Sequence, residues 1–183
     1  MIQLYQKVRQ LKVLAKFMND PYDEFYLREL ARILEMSPMT LKRSLDVLVN
    51  DGYIIKFRSK NQLLYKANID APFFKTQKVA FNLKLLDDAL LVKKLTERIT
   101  NLTSLVVYGS WAKGENDVNS DIDLLAIHPG KSIELDIKDI NGNEVHVLQQ
   151  SMPVWTRFST EHKALYQDII MDGIPLYGTM PVV

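Results

Sequence analysis

The chain has 183 residues, of which 47% are hydrophobic and 25% are charged, so it can bury the core of one large domain or two small ones. It contains no cysteine, which excludes disulfides and thiolate metal sites and is typical of a cytoplasmic protein. No apolar run is long enough for a membrane span, so we expect no membrane partner. Residues 1–20 alternate charged with apolar residues, so we expect no signal peptide.

The net charge of +1 is unevenly distributed along the chain. Residues 1–70 hold 12 Lys and Arg against 8 Asp and Glu, which gives +4, whereas residues 71–183 hold 11 against 14, which gives −3. The first part is therefore better suited to an anionic polymer, and the second to a metal ion.

Three helices are predicted in the first part. Apolar residues recur at helical spacing over residues 3–18, and Asn19-Asp20-Pro21 ends that helix. Residues 27–34 predict a second, short helix. Ser37 can cap a third helix, and Pro38 suits its first position.

The third helix is expected to end at Asp51-Gly52, and two strands, 53–58 and 62–67, follow around a polar turn. Three helices and a basic hairpin over residues 3–68 resemble a winged helix-turn-helix. The resemblance implies binding to double-stranded DNA, with the third helix in the major groove and the hairpin on the backbone. It gives these candidate DNA-binding residues: Thr40, Lys42, Arg43, Ser44, Lys56, Arg58 and Lys60. Winged helices also serve as protein-docking modules, which is the alternative.

Residues 69–100 predict a helical connector, which Pro72 opens and Asp87-Asp88 divides. An apolar strand then leads into Gly109-Ser110, and after a polar loop a second strand begins with Asp121 and Asp123. Alternate side chains of a strand share a face, so the two carboxylates project together and favour a divalent cation such as Mg²⁺.

Gly109 allows close approach of the backbone to a phosphate, and Ser110 offers a hydroxyl and an N–H at the start of a helical turn. Lys113 could approach triphosphate oxygens as a point charge, or be an ordinary exposed lysine. Trp111 could stack on a base or pack against a helix. A phosphate-binding turn beside metal-binding carboxylates is typical of enzymes that catalyse phosphoryl or nucleotidyl transfer.

Gly109-Ser110, Lys113-Gly114 and Ser120-Asp121-Ile122-Asp123-Leu124 resemble the signature Gly-Ser-x-x-(Arg/Lys)-Gly … Ser-Asp-(Ile/Leu)-Asp-Leu of the minimal nucleotidyltransferases. These belong to the superfamily that includes DNA polymerase beta. The resemblance implies Mg²⁺ (or Mn²⁺) held by catalytic Asp121 and Asp123. It also implies an NTP bound by Gly109, Ser110 and Lys113.

Active members of that superfamily use a third carboxylate, centred in an apolar triplet on a neighbouring strand. The matching triplet is Val145-His146-Val147, so a histidine occupies the expected position. Neutral imidazole accepts a proton but binds Mg²⁺ poorly. Glu144 and Asp136 are the two carboxylates that could substitute, and the sequence does not choose between them.

The remaining elements are two strands joined by a turn, a helical region and a last extended segment. We expect a half-buried strand over 133–138, a hairpin turn at Asn141-Gly142 and a strand over 144–148. Residues 153–160 form a loop or short helix, 162–171 a helix, and 174–178 a last extended segment.

The expected fold class is α+β, with an N-terminal winged helix-turn-helix and a C-terminal nucleotidyltransferase-like domain that has a mixed sheet. The expected domains are 1–68, a connector 69–100, and 101–183. This arrangement resembles archaeal regulators that fuse the two modules. It predicts transfer of a nucleoside monophosphate from Mg-NTP to a hydroxyl of a protein, a nucleic acid or a small molecule. The alternative is a DNA-binding regulator, by default a homodimer, whose second domain binds nucleotide or a partner without chemistry.

Overall fold

The computed structural model describes residues 3–137 and 139–183, except for the side chain of Gln3, and divides into two compact units, Met1–Phe81 and Asn82–Val183. No helix in this described part is both long and apolar enough to cross a bilayer. Each unit has its own sheet and its own buried core.

The first unit combines helices with a small antiparallel sheet of order β1-β3-β2. Its elements are α1 (Gln3–Lys7), α2 (Arg9–Asn19), β1 (Phe25–Tyr26), α3 (Leu27–Ile33), α4 (Pro38–Asn50), β2 (Ile54–Ser59) and β3 (Gln62–Ala67). Its core is built from apolar residues of these helices and strands, among them Val13, Phe17, Leu30, Leu45 and Tyr65.

The start and end of α4 follow the predicted signals. The Ser37 hydroxyl accepts a hydrogen bond from the Thr40 N–H at 3.2 Å, and Pro38 is the first helical residue. Gly52 follows the helix with a φ of +79°, a conformation that glycine adopts without steric cost. The predicted helix over 3–18 is wrong in one respect, since it breaks at Val8. There φ is −101° and ψ is 117°, an extended conformation that suits a β-branched residue.

The second unit is built on a four-stranded mixed sheet of order β6-β5-β4-β7, which confirms the predicted sheet type. Strands β5 and β6 pair in parallel, and the other two pairs are antiparallel. The elements from the connector onwards are α5 (Pro72–Asp88), α6 (Leu91–Arg98), β4 (Ser104–Tyr108), α7 (Gly109–Lys113), β5 (Ile122–Ile127), β6 (Val145–Gln150), α8 (Met152–Glu161), α9 (Lys163–Asp172) and β7 (Ile174–Gly178). The unit boundary lies within α5.

Helices α8 and α9 cover one face of this sheet. Val106, Leu125 and Ile127 from the strands pack with Trp155 of α8 and Ile169 of α9, all almost fully buried. The indole N–H of Trp155 donates to a backbone carbonyl at 2.7 Å, so its burial leaves no polar atom unsatisfied. Asp123 is two residues before Leu125 on the same face, and it therefore lies at the margin of this core.

The predicted strand over 133–138 is wrong for the residues that the structure describes, and Lys138 lies outside them. Residues 131–137 are mostly exposed and have no regular secondary structure. The side chain of Gln149 on β6 instead holds this segment, since its amide donates to the Ile133 carbonyl at 2.8 Å and accepts from the Ile133 N–H at 3.1 Å. The predicted turn is confirmed, because Ile140 bridges Asn143 around Asn141-Gly142.

Candidate active site

Strand register brings four polar side chains to one face of the sheet. Asp123 on β5 pairs directly with His146 on β6, and the Ile122 N–H donates to the Glu144 carbonyl at 2.8 Å, which sets Asp121 beside Glu144. Because β5 and β6 are parallel and in register, residues that pair across them point to the same side.

Three of these side chains form a close group. One ligand atom each of Asp121, Glu144 and His146 lies within 4.8 Å of the others, and all three residues are exposed. The Nε2 atom of His146 is 3.4 Å from Oδ2 of Asp121. Carboxylate oxygens and an imidazole nitrogen are ordinary ligands of divalent cations, so the donor set fits a metal ion.

Asp123 has different neighbours. It pairs across the sheet with Tyr108, the last residue of β4, and its carboxylate faces the turn that begins at Gly109. Burial raises the pKa of the Asp123 carboxyl, His146 opposes the rise, and the negative charge of Asp121 adds to it. Burial also raises the pKa of Tyr108, with further contributions from Asp123 and Asp168. The ionised Asp123 is therefore destabilised by its surroundings, a state that a bound cation would relieve.

Glycine is required at position 109 for two reasons. Its φ is +68°, in the left-handed region, and a Cβ built there would lie 3.1 Å from Oδ2 of Asp123. The turn between β4 and α7 therefore approaches the Asp123 carboxylate so closely that a Cβ at position 109 would press on it.

The other residues of the Gly-Ser turn have distinct positions. Ser110 is half-buried at the start of α7. Trp111 is 2% exposed and its indole N–H points to the Ser120 carbonyl at 3.4 Å, so it packs in the core and cannot stack on a base. Lys113 forms ion pairs with Asp168 and, at 3.3 Å, with Asp172, both on α9. These bonds, led by the one to Asp168, raise the pKa of Lys113.

The two candidates for the third carboxylate lie in different places. Glu144 belongs to the group with Asp121 and His146. Asp136 instead lines a cavity of about 210 Å³ with Lys94 and Arg98, and its carbonyl accepts a hydrogen bond from Arg98 at 2.7 Å. Of the two, Glu144 is the one that the fold brings to Asp121.

Asn143 positions the loop before Asp121 and was missed by sequence reasoning. It is 5% exposed, and its amide points at the carbonyls of Asp117, Val118 and Ser120 at 3.3, 3.1 and 2.8 Å. Because Asn143 follows Asn141-Gly142, the sequence pattern indicates only that it belongs to the turn and does not predict these hydrogen bonds.

The predicted DNA-binding residues lie on α4 and on the β2–β3 hairpin of the first unit. Five of them are exposed: Lys42, Arg43, Lys56, Arg58 and Lys60. Thr40 is partly exposed, and its hydroxyl accepts a hydrogen bond from Ser37 at 2.9 Å.

Ser44 does not face solvent, and the expectation that it contacts DNA is corrected. It is 2% exposed, and its hydroxyl donates to the Thr40 carbonyl. Helical spacing could have shown this, because Ser44 lies three residues after Leu41 and four before Leu48, on the buried stripe.

The second unit matches a known family. Residues 89–177 match the family model of the nucleotidyltransferase domain. No curated protein matches the chain.

Several solved structures are similar at low identity. A toxin–antitoxin structure with AMP-PNP is 20% identical over 49% of this chain and 71% of that chain, with a TM-score of 0.35. A mutant of the toxin–antitoxin MntA-HpeT is 17% identical over 49% and 70%, with a TM-score of 0.34. HmgR of Pseudomonas aeruginosa is 16% identical over 87% and 62%, with a TM-score of 0.29. Residues 89–177, just under half of the chain, are thus similar to the nucleotidyltransferase domain.

Proposed function

We propose that the chain is a nucleotidyltransferase that moves a nucleoside monophosphate from an NTP to a hydroxyl group, with a protein as one possible class of acceptor. One observation carries the proposal: Asp121 directly precedes β5 and Asp123 lies on it, both on one face of the sheet, and the Gly109 turn approaches the Asp123 carboxylate there. The family match over residues 89–177 supports it.

In this reaction the acceptor oxygen forms a bond to the α-phosphorus, the bond from that phosphorus to the bridging oxygen breaks, and pyrophosphate leaves. A Mg²⁺ or Mn²⁺ ion, when bound, neutralises charge on the phosphates. Asp121 and Asp123 would hold that ion, while the backbone at Gly109 and Ser110 lies where phosphate oxygens would approach. Lys113 forms ion pairs with Asp168 and Asp172, so it would have to leave these carboxylates before it could bind a phosphate.

The acceptor hydroxyl must also lose a proton. Glu144 is the carboxylate beside Asp121, whereas Asp136 sits with Lys94 and Arg98. We therefore assign the proton to a Glu144 oxygen, which would act as the general base.

Calorimetric titration with analogues that cannot be cleaved between the α- and β-phosphates tests the nucleotide site without knowledge of the acceptor. We expect metal-dependent binding of at least one NTP, which Asp121→Asn with Asp123→Asn abolishes. Asp87→Asn with Asp88→Asn removes the same charge from the exposed end of α5 and should leave binding unchanged. Absence of binding to all four NTPs would refute the proposal.

We also propose, as a second function, that the first unit is a winged helix that binds double-stranded DNA, as in the archaeal-type fusions. The exposed basic residues of α4 and of the β2–β3 hairpin favour it, since side chains of this kind neutralise phosphates. In this arrangement Lys42 and Arg43 face the groove, while Lys56, Arg58 and Lys60 contact the backbone.

Salt dependence of duplex binding tests this function. The three phosphate contacts of Lys56, Arg58 and Lys60 predict a slope of about −3 in a plot of log affinity against log salt concentration. Lys56→Ala with Arg58→Ala should weaken binding and reduce the slope by about 2. Lys93→Ala with Lys131→Ala, which removes the same charge from the second unit, is the control. Equal loss in both double variants would show that only net charge matters.

A further inference from the structure

We propose that Asp121, Glu144 and Nε2 of His146 form a cation site that prefers an imidazole-accepting ion, such as Mn²⁺ or Zn²⁺, over Mg²⁺. The inference rests on the proposed function, because it concerns the ion of the same catalytic face. It differs from the expected site in its ligands, since that site used Asp121 and Asp123.

The spacing of the three ligand atoms suits a single ion. At metal–ligand distances of about 2.1 Å, adjacent ligands of an octahedral ion are about 3 Å apart and opposite ones about 4.2 Å apart. The Nε2 atom of His146 is 3.4 Å from Oδ2 of Asp121, and all three ligand atoms lie within 4.8 Å of one another. Small side-chain rotations therefore close the group around one ion.

Backbone pairing fixes this arrangement. Ile122 pairs with Val145 and Asp123 with His146, so the ligand-bearing ends of β5 and β6 cannot shift relative to each other without losing the ladder. Asn143 holds the loop that leads into Asp121 through three carbonyls. The ligands are thus carried by a rigid scaffold, as metal sites require.

Asp123 lies outside this group. Its Oδ2 atom faces Gly109, and Tyr108 is its partner across the sheet. Asp121 is therefore the residue common to both candidate ligand sets. One Glu144 oxygen is enough for ligation, which leaves the second oxygen to accept the proton of the hydroxyl.

The chemistry of His146 sets the preference. Mg²⁺ takes oxygen ligands almost exclusively, whereas imidazole suits the later divalent metals, for which affinity rises from Mn²⁺ onwards. The side chains of His146 and Asp121 are 51% and 52% exposed, so coordination positions remain for water or phosphate oxygens. The chain has no cysteine that would compete for such ions.

Calorimetry with each ion alone, at one pH, measures the preference. In wild type we expect Zn²⁺ and Mn²⁺ to bind more tightly than Mg²⁺. His146→Asp, which leaves only oxygen ligands, should reduce the ratio of Zn²⁺ to Mg²⁺ affinity by at least about tenfold. His162→Asp makes the same substitution at an exposed histidine on another element and should leave the ratio unchanged.

Nitrogen NMR of the imidazoles identifies the ligand directly, because the chain has only three histidines. Zn²⁺ should shift the Nε2 signal of His146 and leave those of His128 and His162 in place. His128 follows the far end of β5, roughly 20 Å along the strand from Asp121. Glu144→Gln should weaken Zn²⁺ binding at least about tenfold.

The results separate this inference from the proposed function. Zn²⁺ binding without a shift at His146, or an unchanged affinity ratio in His146→Asp, overturns the inference even if Mg-NTP still binds through Asp121 and Asp123. Absence of Zn²⁺ and Mn²⁺ binding also overturns it. Zn²⁺ bound at His146 in a protein that binds no NTP supports the inference and refutes the proposed function.

Discussion

Replacement of Gly109 by alanine tests how closely the turn approaches Asp123. Gly142 is a matched control within the same unit, because its φ is also positive, at +88° against +68°, but nothing lies within 4 Å of a Cβ built there. The two variants therefore share the backbone cost and differ in the contact with the carboxylate.

The backbone cost is about 1–2 kcal/mol for an alanine in the left-handed region. It is offset by about 0.4–1 kcal/mol from the lower entropy of the unfolded chain. Gly142→Ala should thus lower the free energy of unfolding by roughly 1 kcal/mol. Gly109→Ala adds a Cβ at 3.1 Å from Oδ2 of Asp123, and overpacking of this kind costs about 1–3 kcal/mol. We expect Gly109→Ala to lower stability by about 2–4 kcal/mol in total.

Urea unfolding of both variants, alone and combined with Asp123→Ala, measures the contact as a double-mutant cycle. The cost of Gly109→Ala should fall to that of Gly142→Ala once the Asp123 carboxylate is removed, a coupling of about 1–3 kcal/mol. Calorimetry should also show weaker divalent-cation binding in Gly109→Ala alone. Equal costs for the two glycines, or no coupling to Asp123, would refute the reasoning.

Three further predictions concern stability. Because the pKa of Asp123 is raised above 3.8, its folded form holds the proton more tightly than the unfolded form, so stability should fall as pH rises through the folded pKa. In the absence of divalent ions, Asp123→Asn should therefore raise the melting temperature at pH 7 and make it depend less on pH. Thermal melts at several pH values measure both effects, and a lower melting temperature at pH 7 would contradict the prediction. Ser37→Ala removes the cap of α4 and should cost about 1 kcal/mol in urea unfolding, whereas an unchanged midpoint would show that the cap contributes nothing. Gly173→Ala places a Cβ against the Ile169 carbonyl oxygen and should cost about 3 kcal/mol or more; a smaller loss than that of Gly142→Ala would show that the backbone before β7 adjusts easily.

Local signals in the sequence predicted most of the elements correctly. Ser37-Pro38 marks a helix start because the cap and the proline act within one turn, and Asn141-Gly142 marks a turn because both residues accept positive φ. The register of β5 against β6 could not be predicted, since it depends on contacts between segments about twenty residues apart. For that reason the sequence left Glu144 and Asp136 equal as candidates.

The wrong predictions share a physical cause. Alternating apolar and polar residues over 133–138 suggested a strand, but alternation does not supply a neighbouring strand to pair with. The side chain of Gln149 forms hydrogen bonds to the N–H and carbonyl of Ile133 instead. Ser44 was grouped with its basic neighbours by residue type, although its position on the helix places it in the core. The sequence pattern of a segment indicates which conformations it can adopt, whereas tertiary contacts decide which of its side chains are buried.

The side-chain bonds from Gln149 to Ile133 have a consequence for association between molecules. Outer strands with free backbone groups can pair with strands of other chains and so begin aggregation. On β6 the Ser132 hydroxyl, in the segment held by Gln149, donates to the Gln149 backbone carbonyl at 3.5 Å. On β7, the other outer strand, Pro175 offers no N–H. Loss of the Gln149 amide is therefore expected to appear in the concentration dependence of aggregation, even where the face that carries Asp121 and Asp123 is unaltered.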